Sequence, residues 1–124
     1  MNRYDRKNAA KFLNYGYEKL NGDPRLELKD IDESDRYCIQ LYNHSVENSD
    51  LKGKTVLEVG CGRGGGASFI SRYYKPECYV GLDITQSSID FCNQHYKDIK
   101  GLSLNGNSIL YHEQDYLKQV NLIR

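Results

Sequence analysis

The stretch that decides the fold is TVLEVGCGRGGG, which occupies residues 55–66. Its first part, Thr55 to Val59, is a β-branched and apolar run that predicts a strand. Five of the seven residues from 60 to 66 are glycine. Glycine is needed where a chain turns sharply from strand to helix, because φ can be positive there, and where a ligand touches the backbone. The unpaired N–H groups that begin the next helix suit a polar or anionic ligand, so the stretch predicts a cofactor of nucleotide type.

The residues that follow alternate between helical and strand patterns. Residues 67–74 carry apolar pairs four apart and predict a helix that Pro76 ends. A second strand is predicted at 79–84, then a helix with a capping box at Ser87, and a third strand at 109–112. This order predicts an α/β, Rossmann-like fold of three layers, with a parallel sheet of about three strands and right-handed crossovers.

The N-terminal part of the chain is less regular. Two sets of residues at helical spacing predict one helix near the start and another before the first strand. The first set is Ala9, Phe12, Leu13, Tyr17 and Leu20, and the second is Cys38, Leu41, Tyr42 and Ser45. We expect residues 1–50 to form a helical segment, and residues 51–124 to form the part that carries the sheet.

The amino-acid composition excludes several classes of protein. The 124 residues hold 17 Lys and Arg against 17 Asp and Glu, so the formal charge is zero with His neutral. This balance argues against a dedicated nucleic-acid-binding protein, which normally shows a basic surplus. No run approaches the ~20 apolar residues of a membrane span, and no apolar stretch follows the charged residues 1–7 as in a signal peptide. We therefore expect a cytoplasmic protein with four reduced cysteines, whose spacing indicates no metal site.

Two acidic residues end the first two predicted strands, and they discriminate between cofactors. Glu58 precedes the first glycine by two residues, and a carboxylate at the mouth of a buried strand needs a partner. A cofactor with a cationic amino-acid head would supply one, whereas the pyrophosphate of NAD would be repelled. An NAD-dependent oxidoreductase fragment stays an alternative, because Gly60, Gly62 and Gly65 also fit the dinucleotide fingerprint. Asp83 is placed to accept hydrogen bonds from ribose hydroxyls, with a helix cap as its alternative role.

Both motifs resemble those of class I S-adenosylmethionine-dependent methyltransferases. Residues 56–65 are similar to motif I of that family, and residues 81–84, GLDI, are similar to its second motif. The sequence at residues 15–17, 35–42 and 64–68 further resembles small-molecule O-methyltransferases of the phthiotriolone type. The resemblance runs from about Asn14 to about Gly101. It implies that residues 1–50 are a helical lid or cap segment near the cofactor and the acceptor, with packing of an N-terminal helix as the alternative role of Tyr15 and Tyr17.

The resemblance implies where S-adenosylmethionine would bind. The residues that it assigns to the methionine part are Glu58, Gly60, Cys61, Gly62 and Gly64. Asp83 would hold the ribose and Ile84 would pack against the adenine. A third motif would place Asp115 near the adenine amino group, with Asn107 as the competing alignment. The implied reaction is O-methyl transfer to a small or lipid-like molecule, and no residue is assigned as a catalytic base.

The resemblance covers only the N-terminal half of such a methyltransferase domain. The strands that would complete the sheet, and most of the acceptor pocket, have no counterpart among residues 51–124. We expect a truncated domain whose first strand lies at a sheet edge, where it could pair with a protein partner or a second copy. The alternative function is that of an inactive fragment or a non-catalytic partner subunit.

Overall fold

The computed structural model describes residues 10–20, 24–106 and 121–122, the last pair by its backbone alone. Within these residues the helices are a 3₁₀ helix at Asp30–Asp35, α1 at Arg36–Val46, α2 at Gly65–Tyr73 and α3 at Gln86–His95. The strands are β1 at Thr55–Val59, β2 at Cys78–Leu82, β3 at Leu102–Asn105 and β4 at Asn121–Leu122. In this part of the chain, no helix has the length and apolar character needed to cross a bilayer.

The four strands form one parallel sheet in the order β3-β2-β1-β4. β1 and β2 pair along their whole length, from Thr55 opposite Cys78 to Val59 opposite Leu82. The predicted α/β fold is confirmed, and the carboxyl ends of the parallel strands lie at the same edge of the sheet. The prediction that β1 lies at a sheet edge is wrong, because the two-residue strand β4 pairs with it at Val56 and Leu57 and places β1 inside the sheet.

The strand that pairs with the outer side of β2 is β3, whereas the sequence pattern predicts the third strand at 109–112. β3 is only four residues long, and Ser103 and Asn105 weaken its apolar pattern, so it was not recognised as a strand. The residues predicted at 109–112 lie outside the described part of the chain. Asp115 and Asn107, the two candidates for the third motif, also lie outside it.

The predicted N-terminal helix is wrong, because residues 10–20 contain no helix; Ala9 lies outside the described residues. Gly16 has a φ of +88°, and its N–H donates to the side-chain oxygen of Asn14 at 2.8 Å, a local turn that competes with helical hydrogen bonding. The N–H of Tyr17 then donates to a carbonyl oxygen of α1 at 2.9 Å. This N-terminal segment therefore lies against α1 as an irregular strap.

The later helices agree better with the sequence pattern. α1 contains the whole predicted run from Cys38 to Ser45, and α2 begins two residues before the predicted start. The predicted capping box at Ser87 does not form. The N-cap of α3 is Thr85, and its side chain makes no capping hydrogen bond.

One hydrophobic core joins the three α-helices to one face of the sheet. Its buried residues are Ile39, Val46, Leu51, Val56, Cys61, Ala67, Phe69, Ile70, Tyr79, Ile89, Cys92 and Leu104. Leu57, Val80 and Leu82 form a second cluster, as expected because side chains alternate between the two faces of a strand. Glu58 lies two residues after Val56 in β1, so its side chain is on the same face of the sheet, the one that the helices cover.

Candidate functional site

A tight glycine turn links β1 to α2 at the carboxyl edge of the sheet. The N–H groups of Gly60 and Cys61 both donate to the carbonyl oxygen of Leu82, at 2.7 and 2.9 Å, so the turn is fixed to the end of β2. Gly60 has a φ of +80°, which a residue with a Cβ rarely adopts. Apart from its chain neighbours, no atom of the described residues lies within 4 Å of the place where its Cβ would be, so among these residues this side of the turn has room for a ligand.

The glycines at the start of α2 serve a different purpose from the one that the sequence suggests. A Cβ on Gly65 would lie 2.6 Å from the carbonyl oxygen of Lys11, and a Cβ on Gly66 would overlap the ring of Tyr42. These two glycines make room for the N-terminal segment and for α1. A Cβ at either position would therefore collide with another part of the protein, and not with a ligand as the sequence suggests.

Glu58 ends the buried part of β1 and is held by two hydroxyl groups. The Tyr42 hydroxyl donates to Oε1 at 3.0 Å, and the Tyr79 hydroxyl donates to Oε2 at 2.8 Å. Burial raises the pKa of Glu58, the two hydrogen bonds oppose the rise, and the charge of Asp83 adds to it, so the pKa lies above its ordinary value. Burial and the charge of Glu58 raise the pKa of both tyrosines far above the ordinary value, so they remain donors.

Asp83 follows β2 and connects the two motifs. Its Oδ2 accepts the N–H of Gly62 at 2.7 Å, and its Oδ1 accepts the N–H of Thr85 at 2.8 Å. Asp83 is not the N-cap of α3, because Thr85 occupies that position. Each carboxylate oxygen keeps a free lone pair for a hydroxyl donor. The predicted second acid is therefore fixed in place beside the glycine turn.

Two apolar side chains stand exposed beside these acids. Ile84, which follows Asp83, is 73% exposed, and Val59, which follows Glu58, is 64% exposed. An exposed pair of this kind at the ends of two neighbouring strands offers an apolar surface to a flat ring. Ile84 was predicted for this purpose. Val59 was missed, although its place directly after the acid of β1 parallels that of Ile84 on β2.

The thiol of Cys61 belongs to the packing below the turn and not to its open side. Its side chain is buried, and it lies close to where a Cβ on Gly81 would be. Burial raises the pKa of Cys61 to about 12 and that of the neighbouring Cys92 to about 11. Both thiols point toward the carbonyl oxygen of Gly62. Cys61 thus supports the turn as a small packing residue and is not an activated nucleophile.

The N-terminal segment completes the surroundings of the turn. Its Lys11 carbonyl accepts the N–H of Gly65 at 3.2 Å, and its Ala10 carbonyl accepts a hydrogen bond from Arg63 at 3.1 Å. Leu13 lies beside the turn and is 69% exposed. Sequence reasoning placed this segment near the site by resemblance but gave it the wrong local structure.

The site as a whole combines two carboxylates, an open glycine turn and an exposed apolar edge. Within the described residues, no group of His, Cys, Asp and Glu is placed to hold a metal ion. These groups are complementary to a ligand that carries a cationic group, hydroxyl donors and an apolar ring.

Comparison with known proteins agrees with this description. Residues 4–115 match the family model described as mRNA (guanine-N(7))-methyltransferase domain. The chain is 48% identical over 93 residues to a fatty-acid O-methyltransferase of Mycolicibacterium smegmatis, covering 73% of this chain and 32% of that protein. It is 44% identical over 87 residues to a probable phthiotriol/phenolphthiotriol dimycocerosates methyltransferase 2 of Mycobacterium ulcerans, covering 68% and 33%. The chain thus spans about a third of the length of these relatives.

Solved structures share the fold at low sequence identity. Coclaurine N-methyltransferase bound to N-methylheliamine and SAH superposes with a TM-score of 0.55 at 19% identity, over 70% of this chain and 27% of that one. Geranyl diphosphate C-methyltransferase from Streptomyces coelicolor, solved with S-adenosyl-L-homocysteine, gives a TM-score of 0.54 at 16% identity, over 88% and 46%. At these identities the likeness shows the fold alone.

Proposed function

This chain belongs to the S-adenosylmethionine-dependent methyltransferase family, and on that premise we propose that it binds S-adenosylmethionine for methyl transfer to an oxygen of a lipid-like molecule. The observation that carries the proposal is the 2.7 Å hydrogen bond from Gly62 to Asp83, which fixes the glycine turn and the second acid as one unit. Glu58 lies beside this unit on the neighbouring strand.

The parts of the cofactor match the parts of the site. The ammonium group of the methionine end suits Glu58, because a cation offsets the cost of keeping that carboxylate charged in a partly buried position. The ribose hydroxyls suit the free lone pairs of Asp83, and the adenine suits the exposed side chain of Ile84. The cofactor supplies an activated methyl group, so what this chain contributes is binding and orientation.

The class of the methyl acceptor is proposed from the names of the relatives and from the balance of charged residues in this chain. The two named relatives carry a fatty acid and phthiotriol dimycocerosates in their names, and Leu13 adds an exposed apolar side chain beside the turn. The matched family model has mRNA in its description, but the 17 basic residues of this chain are balanced by 17 acidic ones. A binder of an RNA backbone normally carries a basic surplus. We therefore favour a lipid-like acceptor and no nucleic acid.

Binding to the 124-residue chain tests the cofactor proposal directly. Calorimetric titration with S-adenosylmethionine is expected to give micromolar affinity, and titration with NAD is expected to give none, because Glu58 repels a pyrophosphate. Glu58→Gln removes the charge that faces the ammonium group and is expected to weaken binding by about 2 kcal/mol, or roughly 30-fold. Asp83→Asn replaces an acceptor oxygen with a donor group that faces a backbone N–H, and a loss of at least 10-fold is expected.

The control for both substitutions is Asp90→Asn. Asp90 is exposed on α3 and accepts a hydrogen bond from Gln86 at 2.8 Å, away from the turn. Its removal is expected to leave the affinity unchanged. A folded chain that binds NAD and not S-adenosylmethionine would favour the oxidoreductase alternative, and one that binds neither would favour a non-catalytic fragment or partner subunit.

A further inference from the structure

Two tyrosines from separate elements meet at the carboxylate of Glu58. Tyr42 comes from α1 and Tyr79 from β2, and each donates its hydroxyl to a different oxygen, at 3.0 and 2.8 Å. The carboxylate plane is therefore fixed by two bonds and cannot rotate about its last torsion without losing at least one of them.

The donors that hold Glu58 are neutral. In the described part of the chain, the contacts of Glu58 are with these two hydroxyls, and the nearby charge that acts on it is the like charge of Asp83. Hydroxyl donors stabilise the carboxylate without neutralising it, so the negative charge remains available to a ligand. A Lys or Arg in the same place would have formed an internal ion pair and excluded a cationic ligand.

Packing fixes the rings that carry these hydroxyls. The ring of Tyr42 occupies the space left by the missing side chain of Gly66 and meets Phe12 edge to face, with ring centres 6.0 Å apart. Tyr79 is 1% exposed and lies opposite Val56 in the strand register, one side-chain position below Glu58 on the same face. Neither ring can turn away without disturbing the core.

We propose that Tyr42 and Tyr79 are positioning residues that aim the Glu58 carboxylate at the ammonium group of the cofactor. This inference rests on the function proposed above and extends it to the residues that set selectivity for the amino-acid end. If the hydroxyls served only to satisfy a half-buried acid, removing one of them would weaken the binding of every ligand of the site to the same extent. If they position the carboxylate, removing one weakens the binding only of ligands that carry the ammonium group.

Two ligands separate these roles. S-adenosylmethionine carries the amino-acid end, and 5′-methylthioadenosine has the same adenosine and sulfur but lacks it. Tyr42→Phe and Tyr79→Phe are each expected to weaken S-adenosylmethionine about 10-fold and to leave 5′-methylthioadenosine within 2-fold, measured by calorimetry. The matched control is Tyr74→Phe, which removes a hydroxyl that donates to Asn43 at 2.6 Å on the same side of the sheet. It is expected to change neither affinity.

The outcomes can be told apart. Equal losses for both ligands, or no loss for either, would overturn the positioning role while leaving the cofactor site intact. An equal selective loss in Tyr74→Phe would overturn it as well. If the unsubstituted chain binds neither ligand, the proposed function fails and the inference fails with it. Thermal unfolding of each variant shows that it is folded, and if one tyrosine variant does not fold, the other still gives the selectivity ratio.

Discussion

Two carboxylates on the helix-covered side of the molecule, the buried Asp32 and the half-buried Glu58, are held in opposite ways. Asp32, which is 6% exposed, receives two hydrogen bonds from the Arg72 guanidinium, at 2.8 and 2.9 Å, and one from the Tyr73 hydroxyl at 2.6 Å. Burial alone would raise the pKa of Asp32, but these bonds and the charge of Arg72 outweigh burial and lower it. The charge of Asp32 is thus neutralised inside the protein.

Glu58 accepts from two tyrosine hydroxyls where Asp32 accepts from one, but in the part of the chain that the structure describes it has no such cation. Its hydroxyl partners leave the charge in place, and its pKa lies above the ordinary value because these two hydrogen bonds offset only part of the effect of burial and of the Asp83 charge. The difference teaches how a structural acid can be told from a binding acid. An acid paired with a cation ties elements together, as Asp32 ties the 3₁₀ helix to α2. An acid held by neutral donors keeps a charge that a ligand can neutralise, which is the role proposed for Glu58.

Breaking the Asp32 pair should give the largest effect on stability. Arg72→Met keeps the length of the side chain but leaves a buried carboxylate without its cation, which typically costs 3 kcal/mol or more. We expect the free energy of unfolding to fall by about 3 kcal/mol, measured by urea unfolding followed by circular dichroism. A loss below about 1 kcal/mol would show that Asp32 is not neutralised by Arg72 and would remove the basis of the comparison.

Arg25→Met is the matched control for that substitution. Arg25 lies 3.7 Å from a carboxylate oxygen of Glu33, and its side chain is 75% exposed. Exposed ion pairs contribute little because water and salt screen them. The expected change is below about 0.5 kcal/mol.

The sequence was informative where the pattern is local. β1, Glu58 and the glycine turn are recognisable because a strand, a turn and a helix follow one another without interruption from Thr55 to Tyr73. The sequence was misleading at the N-terminus, where Phe12 and Leu13 have helical spacing but contact the glycine turn and α1 instead. Periodicity alone does not tell a helix from an irregular segment that is apolar for another reason.

The partners of the two acids could not be predicted, because they are distant in the sequence. Tyr42 and Tyr79 lie 16 and 21 residues from Glu58, and Arg72 lies 40 residues from Asp32. Which tyrosine meets which acid depends on the strand register and on how α1 crosses α2. With 11 tyrosines in the chain, the sequence offers many candidates and no local signal that selects among them.

A tyrosine substitution beside Asp32 sharpens the comparison with a smaller effect. Tyr73→Phe removes one of the three donors to Asp32 and also the acceptor of the Lys29 N–H at 3.0 Å. Arg72 still neutralises the acid, so we expect a loss of about 1 kcal/mol in the free energy of unfolding. Because the cofactor site does not involve Asp32, the affinity for S-adenosylmethionine should stay unchanged. A weaker affinity would mean that the two acids are not independent.

Only a small change in stability is expected at Glu58, the acid with the largest expected effect on binding. In Glu58→Gln the amide oxygen accepts from one tyrosine hydroxyl, and the amide NH₂ donates to the other. The free energy of unfolding at neutral pH should therefore change by no more than about 1 kcal/mol, in the direction of higher stability. The direction follows from the pKa, which is raised above its ordinary value of 4.5 in the folded protein. At pH values between 4.5, the ordinary pKa that Glu58 has in the unfolded chain, and its raised pKa in the folded protein, the folded state binds more protons than the unfolded state. Glu58 therefore makes the protein less stable as the pH rises through this range.

The same linkage predicts opposite pH dependences for the two acids. Asp32 has a lowered pKa, so the stability that it contributes is present above its ordinary value of 3.8 and is lost as pH falls through the folded value. Urea unfolding from pH 3 to pH 8 should therefore show Asp32→Asn most destabilising at neutral pH, and Glu58→Gln gaining on the unsubstituted chain as pH rises. If Glu58→Gln instead lost stability with rising pH, Glu58 would be stabilised as an anion inside the protein. Glu58 would then be a structural acid like Asp32, and a different residue would have to bind the ammonium group of the proposed ligand.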